Sequence, residues 1–344
     1  MMYPMQLSKP TLKIFSALIL VTVLVIIWFA SQLISFKDTP INLGEETVFV
    51  IAPGSSLNKI AHTMQAKGMI DEPRYLTMLG RWYGHAAKLK AGEYLLSPGM
   101  TPLQVLDKIV AGDVIDYSLT VVEGWTFKQM LAAIRAHEKL EHSLKDLSPE
   151  QIMSEMGHPG AHPEGCFLPE TYHFTAGMSD MDFLKRAYAA LEALLQQEWA
   201  QRDEGLPYKT PYDALIMASI IEKETALPSE RAEIAGVFVR RLQKHMRLQT
   251  DPTVIYGMGD SYDGNIRRQD LSRDTPYNTY TRHGLTPTPI ALPGADAIYA
   301  ALHPAKGDSL YFVAKGEGGN GSHHFSATLE EHINAVRQYQ LKRR

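Results

Sequence analysis

The balance of apolar and polar positions changes character three times along the chain, and each change predicts a different kind of element. From Ile14 to Ile34 a run of Leu, Ile, Val, Phe, Ala and Trp is interrupted only by Ser16, Thr22, Ser31 and Gln32. At about 1.5 Å per residue this run matches a hydrocarbon core of about 30 Å, which predicts a membrane-spanning helix over 14–34. Alternation of period two follows: Glu46-Thr47-Val48-Phe49-Val50-Ile51 reads as a strand stopped by Pro53-Gly54. Ser55 or Ser56 can then cap a helix through Leu57, Ile60, Ala61 and Met64, ended by Gly68. A second helix follows Pro73, and Ala91 to Leu96 returns as a strand. Pro102 to Ala111 predicts a helix, Asp116 to Val122 a strand and Trp125 to Glu138 a helix. Glu141 to His162 reads as a polar insertion marked by Pro and Gly. The third regime begins at Pro211. Tyr212, Asp213, Ala214, Leu215, Ile216, Met217, Ala218, Ser219, Ile220 and Ile221 make a helix that is apolar on most sides, closing on Glu222, Lys223 and Glu224. After Pro228, Ser229 is the expected cap of a further helix through Val239.

Carboxylates at the end of so apolar a helix focus attention on chemistry. Glu222 and Glu224 lie about 200° apart around a helix and cannot share a face. Glu224 falls on the stripe of Met217, Ile220 and Ile221, whereas Glu222 sits above Ala218 and Ser219. A carboxyl on the greasier stripe is costly to ionise, which suits a general acid and makes Glu224 the preferred acid/base. Pairing of one or both glutamates with a basic side chain near the helix end is the alternative. Downstream, Met246 to Gly257 is crowded with hydrogen-bonding side chains, and Pro276-Tyr277-Asn278-Thr279-Tyr280-Thr281 sets two aromatics around small polar groups. Aromatic faces beside amides and hydroxyls suit a sugar. The Pro/Gly-rich stretch from Gly284 to Gly294 reads as a rigid loop, for which ordinary turn chemistry suffices.

Charge and composition narrow the setting. The chain carries 34 basic and 38 acidic residues, a net of −4. Setting aside Lys9 and Lys13, which precede the apolar run, leaves 32 basic against 38 acidic, a net of −6 outside the membrane. That balance argues against nucleic acid or an anionic surface as the main partner. Lys9 and Lys13 stand before the span with no acidic residue, while Lys37 is diluted by Asp38, Glu45 and Glu46. The positive-inside rule therefore places residues 1–13 in the cytoplasm and the remainder outside it. A cleavable signal ending near Ala30-Ser31 is the competing reading. Cys166 is the only cysteine, so no intrachain disulfide can form. No pair of histidines one helical turn apart stands beside a carboxylate, and no metal or other cofactor is expected. His324 and Phe325, after the glycine-rich turn from Gly316 to Gly321, are candidates either to line a cleft or to steady that turn; the turn itself lacks the features of a phosphate loop. The terminal Leu341-Lys342-Arg343-Arg344 reads as a solvated tail.

The order EKET, RLQTDPTVIYGMG, YNTYTRHGL, PIALPGADAI, HPAK and YFVAKGEGG resembles the endolytic murein lytic transglycosylase family over the region from about Val48 to the C-terminus. The second glutamate of EKE best matches the family's acid/base, again Glu224. Two departures stand out: Gly284-Leu285-Thr286-Pro287 replaces the usual GLPP, and Cys166 stands where a bulkier residue is expected. The resemblance implies a reaction in which one carboxyl protonates the departing glycosidic oxygen and then deprotonates the muramyl 6-hydroxyl, giving a 1,6-anhydro sugar. It also implies glycan binding by Glu222, Gln249, Asp251, Thr253, Tyr277, Asn278 and Tyr280. Among Gln249, Asp251, Thr253, Tyr277, Asn278 and Tyr280, Asp251 is the acid that could serve as the second carboxylate of a plain glycoside hydrolase.

In that context the order strand, helix, helix, strand over 46–112 is similar to a LysM module, a small glycan-gripping fold. The expected class is α+β: a single transmembrane helix, the LysM-like βααβ module, a connecting segment over 113–164 and a larger mixed α/β catalytic domain over 165–344. Peptidoglycan strands would be the substrate and penicillin-binding synthases the partners, at a bacterial inner membrane with the catalytic region in the periplasm. A membrane-anchored peptidoglycan-binding scaffold without activity is the alternative from another class.

Overall fold

The computed structural model describes residues 9–316 and 319–341, with side chains from Lys13 onward. The chain divides into two compact units, Met1–Tyr117 and Ser118–Arg344. Residues 1–8, Glu317, Gly318 and 342–344 lie outside the described residues, and with them most of the N-terminal stretch, the middle of the glycine-rich turn and the last three residues of the expected tail.

The first unit opens with α1 (Lys9–Asp38). Within its segment Lys13–Asp38 an 18-residue window reaches a mean hydropathy of 2.7 with none of that window buried, which makes it a candidate membrane span. The helix continues past the apolar run to Asp38, where Phe36 meets the Tyr75 ring at a centroid distance of 5.6 Å, as Phe29 within the run does at 5.7 Å. There follow β1 (Thr47–Ile51), α2 (Leu57–Ala66), α3 (Pro73–Trp82), β2 (Gly92–Leu96) and α4 (Pro102–Ala111). The strands pair antiparallel with Phe49 opposite Tyr94. Alternation sends Phe49 and Ile51 inward and leaves Val48 and Val50 exposed, as a sheet with one covered face requires. Ser56 caps α2 by accepting from the Lys59 amide at 3.3 Å. Gly80 allows α2 and α3 to close up, since a Cβ there would lie 2.6 Å from Leu57 Cδ2. Met64, Leu76, Leu96, Val105, Leu106 and Ile109 complete a core with Tyr94, whose hydroxyl donates to the Lys90 carbonyl at 2.8 Å.

β3 (Asp116–Thr120) carries the chain into the second unit, where α5 (Phe127–Ala136), β4 (Leu140–Glu141), α6 (Pro149–Glu155), β5 (Thr171–Thr175), β6 (Met178–Ser179) and α7 (Asp180–Gln201) come first. The stretch expected as a polar insertion contains α6: Ser148 and Gln151 form a capping box, and Ile152 and Met153 are fully buried. The rest is α8 (Pro211–Glu224), α9 (Pro228–Gln243), α10 (Asp251–Met258), α11 (Arg268–Ser272), α12 (Ala295–Leu302), β7 (Tyr311–Ala314), β8 (His323–Ser326) and α13 (Leu329–Val336). α9 starts at Pro228 with Leu227 at its N-cap rather than Ser229, because proline fits the first helical position, where no N–H is needed.

The central element is α8. Thr210 and Asp213 cap its start reciprocally, and Pro211 sets the first turn. Every residue from Ala214 to Ile221 is buried, with α7, α9, α10 and α12 packed around it. Burial of Leu215, Ile216, Met217, Ile220 and Ile221 is worth on the order of 10 kcal/mol before entropy is counted. Ser219, buried among them, donates to the Ile216 carbonyl at 2.7 Å and accepts from the Ile290 amide at 3.0 Å. The Pro/Gly loop is thereby held against α8, and its Ile290, Ala291 and Leu292 are core residues.

Candidate active site

Glu224 is the last residue of α8. So rigid a helix delivers its carboxyl to a fixed point, beside the negative end of the helix dipole. It lines a cavity of about 470 Å³ with Arg241, Gln249, Thr250, Asp251, Tyr280, Tyr311, His323 and His332. A second cavity of about 430 Å³, lined by Val122, Glu123, Gly124, Glu222 and Arg231, also reaches Glu224.

Burial pushes the Glu224 carboxyl up to about 7, and the charge of Asp251 adds to the rise. A hydrogen bond from the Thr250 hydroxyl and the positive charge of Arg241 oppose it. The group is therefore poised between its acid and base forms near neutral pH, as a group that must first give and then take a proton requires.

Thr250 holds its place through buried threonines. Its amide donates to Thr279 Oγ1 at 3.1 Å, and its carbonyl accepts from Thr253 Oγ1 at 2.7 Å. Thr253 and Thr279 hydroxyls are 2.9 Å apart. Next to it, Gln249 adopts φ 53°, a left-handed conformation that costs about 1–2 kcal/mol in a residue bearing a Cβ. The Gln249 amide donates to the Thr279 carbonyl at 3.2 Å, and its exposed side chain belongs to the cavity wall. Asp251 Oδ1 accepts from the Tyr280 hydroxyl at 2.5 Å.

The other residues read from the sequence occupy different surroundings. Asn278 is 1% exposed; its Nδ2 donates to the carbonyls of Asp270, Leu271 and Arg273, and its Oδ1 accepts from the Tyr280 amide at 2.8 Å. It shapes the loop that presents Tyr280. Tyr277 packs against Tyr256 at 4.9 Å, and its hydroxyl lies 2.9 Å from Thr288 Oγ1. The Glu222 side chain is 6% exposed, 3.6 Å from Arg231, and accepts from the Gly294 amide at 3.0 Å. Arg231 also meets Asp296 at 2.9 Å and Glu123 at 3.5 Å. A Cβ on Gly294 would stand 2.0 Å from Glu123 Oε1, so a larger residue there would have to displace the Glu123 carboxyl. The pairing with a basic residue that the sequence left open thus exists for Glu222.

Several participants carried no sequence signal. Arg241, 7% exposed on α9, donates to the carbonyls of Leu310 at 2.6 Å and Leu248 at 2.8 Å. It ties β7 and the turn before α10 to the Glu224 cavity. His323 lines the cavity, whereas His324 lies against Tyr339 and Phe325 packs on the core around α8. Glu164, 5% exposed, is pushed up to about 7 by burial and accepts from the Phe127 amide at 2.8 Å and the Tyr256 hydroxyl at 3.2 Å. Among the described residues no group of His, Cys, Asp and Glu could hold a metal ion.

A buried helix ending on one neutral-range carboxyl, inside a polar and aromatic cavity, defines a candidate acid/base site for a glycan. The chain belongs to the YceG-like family, whose model matches residues 49–338. It is similar to the endolytic murein transglycosylase of Bacillus subtilis strain 168, with 33% identity over 307 residues, covering 84% of this chain and 83% of the relative. The protein of that name from Streptococcus pneumoniae serotype 2 is 26% identical over 323 residues, and the match spans 58% of its length. A crystal structure of a yceG-like protein of Listeria monocytogenes aligns with a TM-score of 0.54 at 32% identity, covering 84% of this chain and 99% of that one.

Proposed function

We propose that this chain is an endolytic murein lytic transglycosylase that cuts the MurNAc–GlcNAc β-1,4 bond within glycan strands and leaves 1,6-anhydroMurNAc ends. Glu224 carries the reading: its carboxyl, pushed up to about 7 by burial, stands in the wall of two open cavities. A strand lying across Glu224 would have sugar units on either side of the cut, which suits internal cleavage. As acid, Glu224 protonates the leaving O4. The muramyl 6-hydroxyl then replaces it at C1 and gives its proton back to the Glu224 carboxylate, so no second carboxylate and no attacking water are required. Gln249, Asp251 and Tyr280 are placed to bind the sugar and to stabilise charge that develops on it. Thr253, Tyr277 and Asn278 would support them from behind, and Glu222 would shape the smaller cavity through Arg231.

The same proposal extends to the rest of the chain. Residues 46–112, with their βααβ order and covered sheet face, would form a LysM-like glycan-binding module. Segment 113–164 would connect it to the catalytic region 165–344, and it contributes Glu123 and Gly124 to the smaller cavity. With residues 1–13 in the cytoplasm and α1 in the inner membrane, the catalytic region would work in the periplasm, limiting strand length beside penicillin-binding synthases.

The test is product analysis by mass spectrometry with full-length protein in detergent, beside its E224Q variant. Anhydro-ended internal fragments from the wild type alone support the proposal. Reducing ends would mean hydrolysis with Asp251 as the second carboxylate, and binding without cleavage would mean a scaffold.

A further inference from the structure

The cavity holding Glu224 contains a second group built for proton transfer. His323 opens β8, and Glu230 lies in the first turn of α9. Glu230 Oε1 accepts the His323 backbone N–H at 2.9 Å, and its Oε2 stands 2.8 Å from ring Nδ1. The two side chains are only 11% and 13% exposed. A hydrogen on Nδ1 satisfies Glu230 Oε2, and in that tautomer the lone pair of the ring is on Nε2. Phe312 walls the imidazole edge-on at 5.4 Å. Among the described residues Nε2 has no hydrogen-bond partner, yet it is not one of the buried orphaned atoms, and the residue lines the Glu224 cavity.

Asp251 is bonded by Tyr280 and Arg241 donates to backbone carbonyls. His332 also lines the cavity, but it stacks on Tyr311 at 5.2 Å with its Nδ1 buried and unpartnered, so no carboxylate orients its ring through that nitrogen as Glu230 orients His323. We propose that His323 accepts the proton of the sugar 6-hydroxyl as the anhydro ring closes, with Glu230 as its positioning residue. This rests on the lytic transglycosylase reading and divides between two groups the proton transfers assigned there to Glu224. As the C1–O4 bond breaks, O4 takes the Glu224 proton. O6 forms its bond to C1 and releases its proton to Nε2. Imidazolium and the Glu224 carboxylate then return to their starting forms by proton exchange through water.

The experiment measures release of anhydro ends by full-length protein in detergent from pH 5 to 9, for wild type, H323A, H323Q, E230Q and E224Q. For H323A, kcat is expected to fall by about 100-fold or more with KM within about threefold. Added imidazole should raise the H323A rate by about tenfold and leave E224Q unchanged. E230Q should lose about tenfold in kcat, as oriented imidazoles do when their partner is removed. If H323A melts below the assay temperature, H323Q is held to the same kcat and KM thresholds. A kcat within threefold of wild type, a loss confined to KM, or a folded H323A that imidazole does not rescue overturns the role of His323. Reducing ends or no cleavage from the wild type would instead overturn the transglycosylase reading itself.

Discussion

Thr250 stands at the N-cap of α10, yet its hydroxyl oxygen accepts from no amide of that helix, and the hydroxyl donates to Glu224. The helix lacks a side-chain cap, an interaction worth about 1 kcal/mol elsewhere, while one oxygen of the Glu224 carboxyl is held in place. The bond favours the ionised form and offsets part of the rise that burial causes.

T250V should therefore raise the Glu224 pKa above about 7. The acid form would persist to higher pH, and the basic limb of the kcat/KM profile is expected to move up by about one unit, the equivalent of ~1.4 kcal/mol. A limb that stays in place would mean that Thr250 does not tune the group.

Asp251 acts in the opposite direction, because its negative charge raises the Glu224 pKa. D251N should move the same limb to lower pH by a few tenths of a unit and leave the products anhydro-ended. Loss of all cleavage in D251N, with activity retained in E224Q, would assign the chemistry to Asp251.

Glu164 allows a stability test away from the Glu224 cavity. Burial raises its carboxyl from 4.5 to about 7. Below about pH 4.5 folded and unfolded chains both hold the proton. As pH rises from there to about 7, the unfolded chain releases it while the fold retains it, so stability falls across that window and stays lower above it. About 2.5 units at ~1.4 kcal/mol each gives a deficit on the order of 3 kcal/mol. Gln can still accept from the Phe127 amide, so E164Q should reduce the drop in Tm between pH 5 and pH 8 by about 5 °C. An equal drop in both proteins would place the titration elsewhere.

Much of the second unit was legible where a local pattern decides the structure. The apolar run from Tyr212 to Ile221 specified α8, and its stripe put Glu224 and Glu222 in different surroundings. Alternation and the residues around Pro53, Pro73 and Pro102 likewise marked β1, α2, α3 and α4. What stayed hidden depends on contacts distant in sequence. Thr250 lies 26 residues beyond Glu224, and a threonine beside a Pro-containing polar block carries no mark of its partner. Arg241 looks like an ordinary cation at a helix end, and only packing shows its donors on the Leu248 and Leu310 carbonyls. An amide beside two aromatics in the sequence suggests a sugar ligand at Asn278, but its bonds to three backbone carbonyls are set by loop conformation. In the 141–162 stretch, α6 has just two buried apolar residues, too few to show a period over the surrounding polar ones.

Arg231 is the hub for Glu222, Glu123 and Asp296. R231A leaves buried Glu222 without its counter-charge and is expected to destabilise the second unit by about 3 kcal/mol. That corresponds to a Tm lower by about 5–10 °C, readable by calorimetry. Replacement of Glu222 by Gln in the same background should recover part of the loss, whereas no recovery would show that the pair is not coupled.

The most direct test of the central claim is mass spectrometry of glycan fragments released by the full-length protein and by E224Q. Internal fragments with 1,6-anhydroMurNAc ends from the wild type, and at least about 1000-fold fewer from a folded, glycan-binding E224Q, are the expected result. Anhydro ends appearing at an undiminished rate from E224Q would contradict the assignment of the reaction to Glu224.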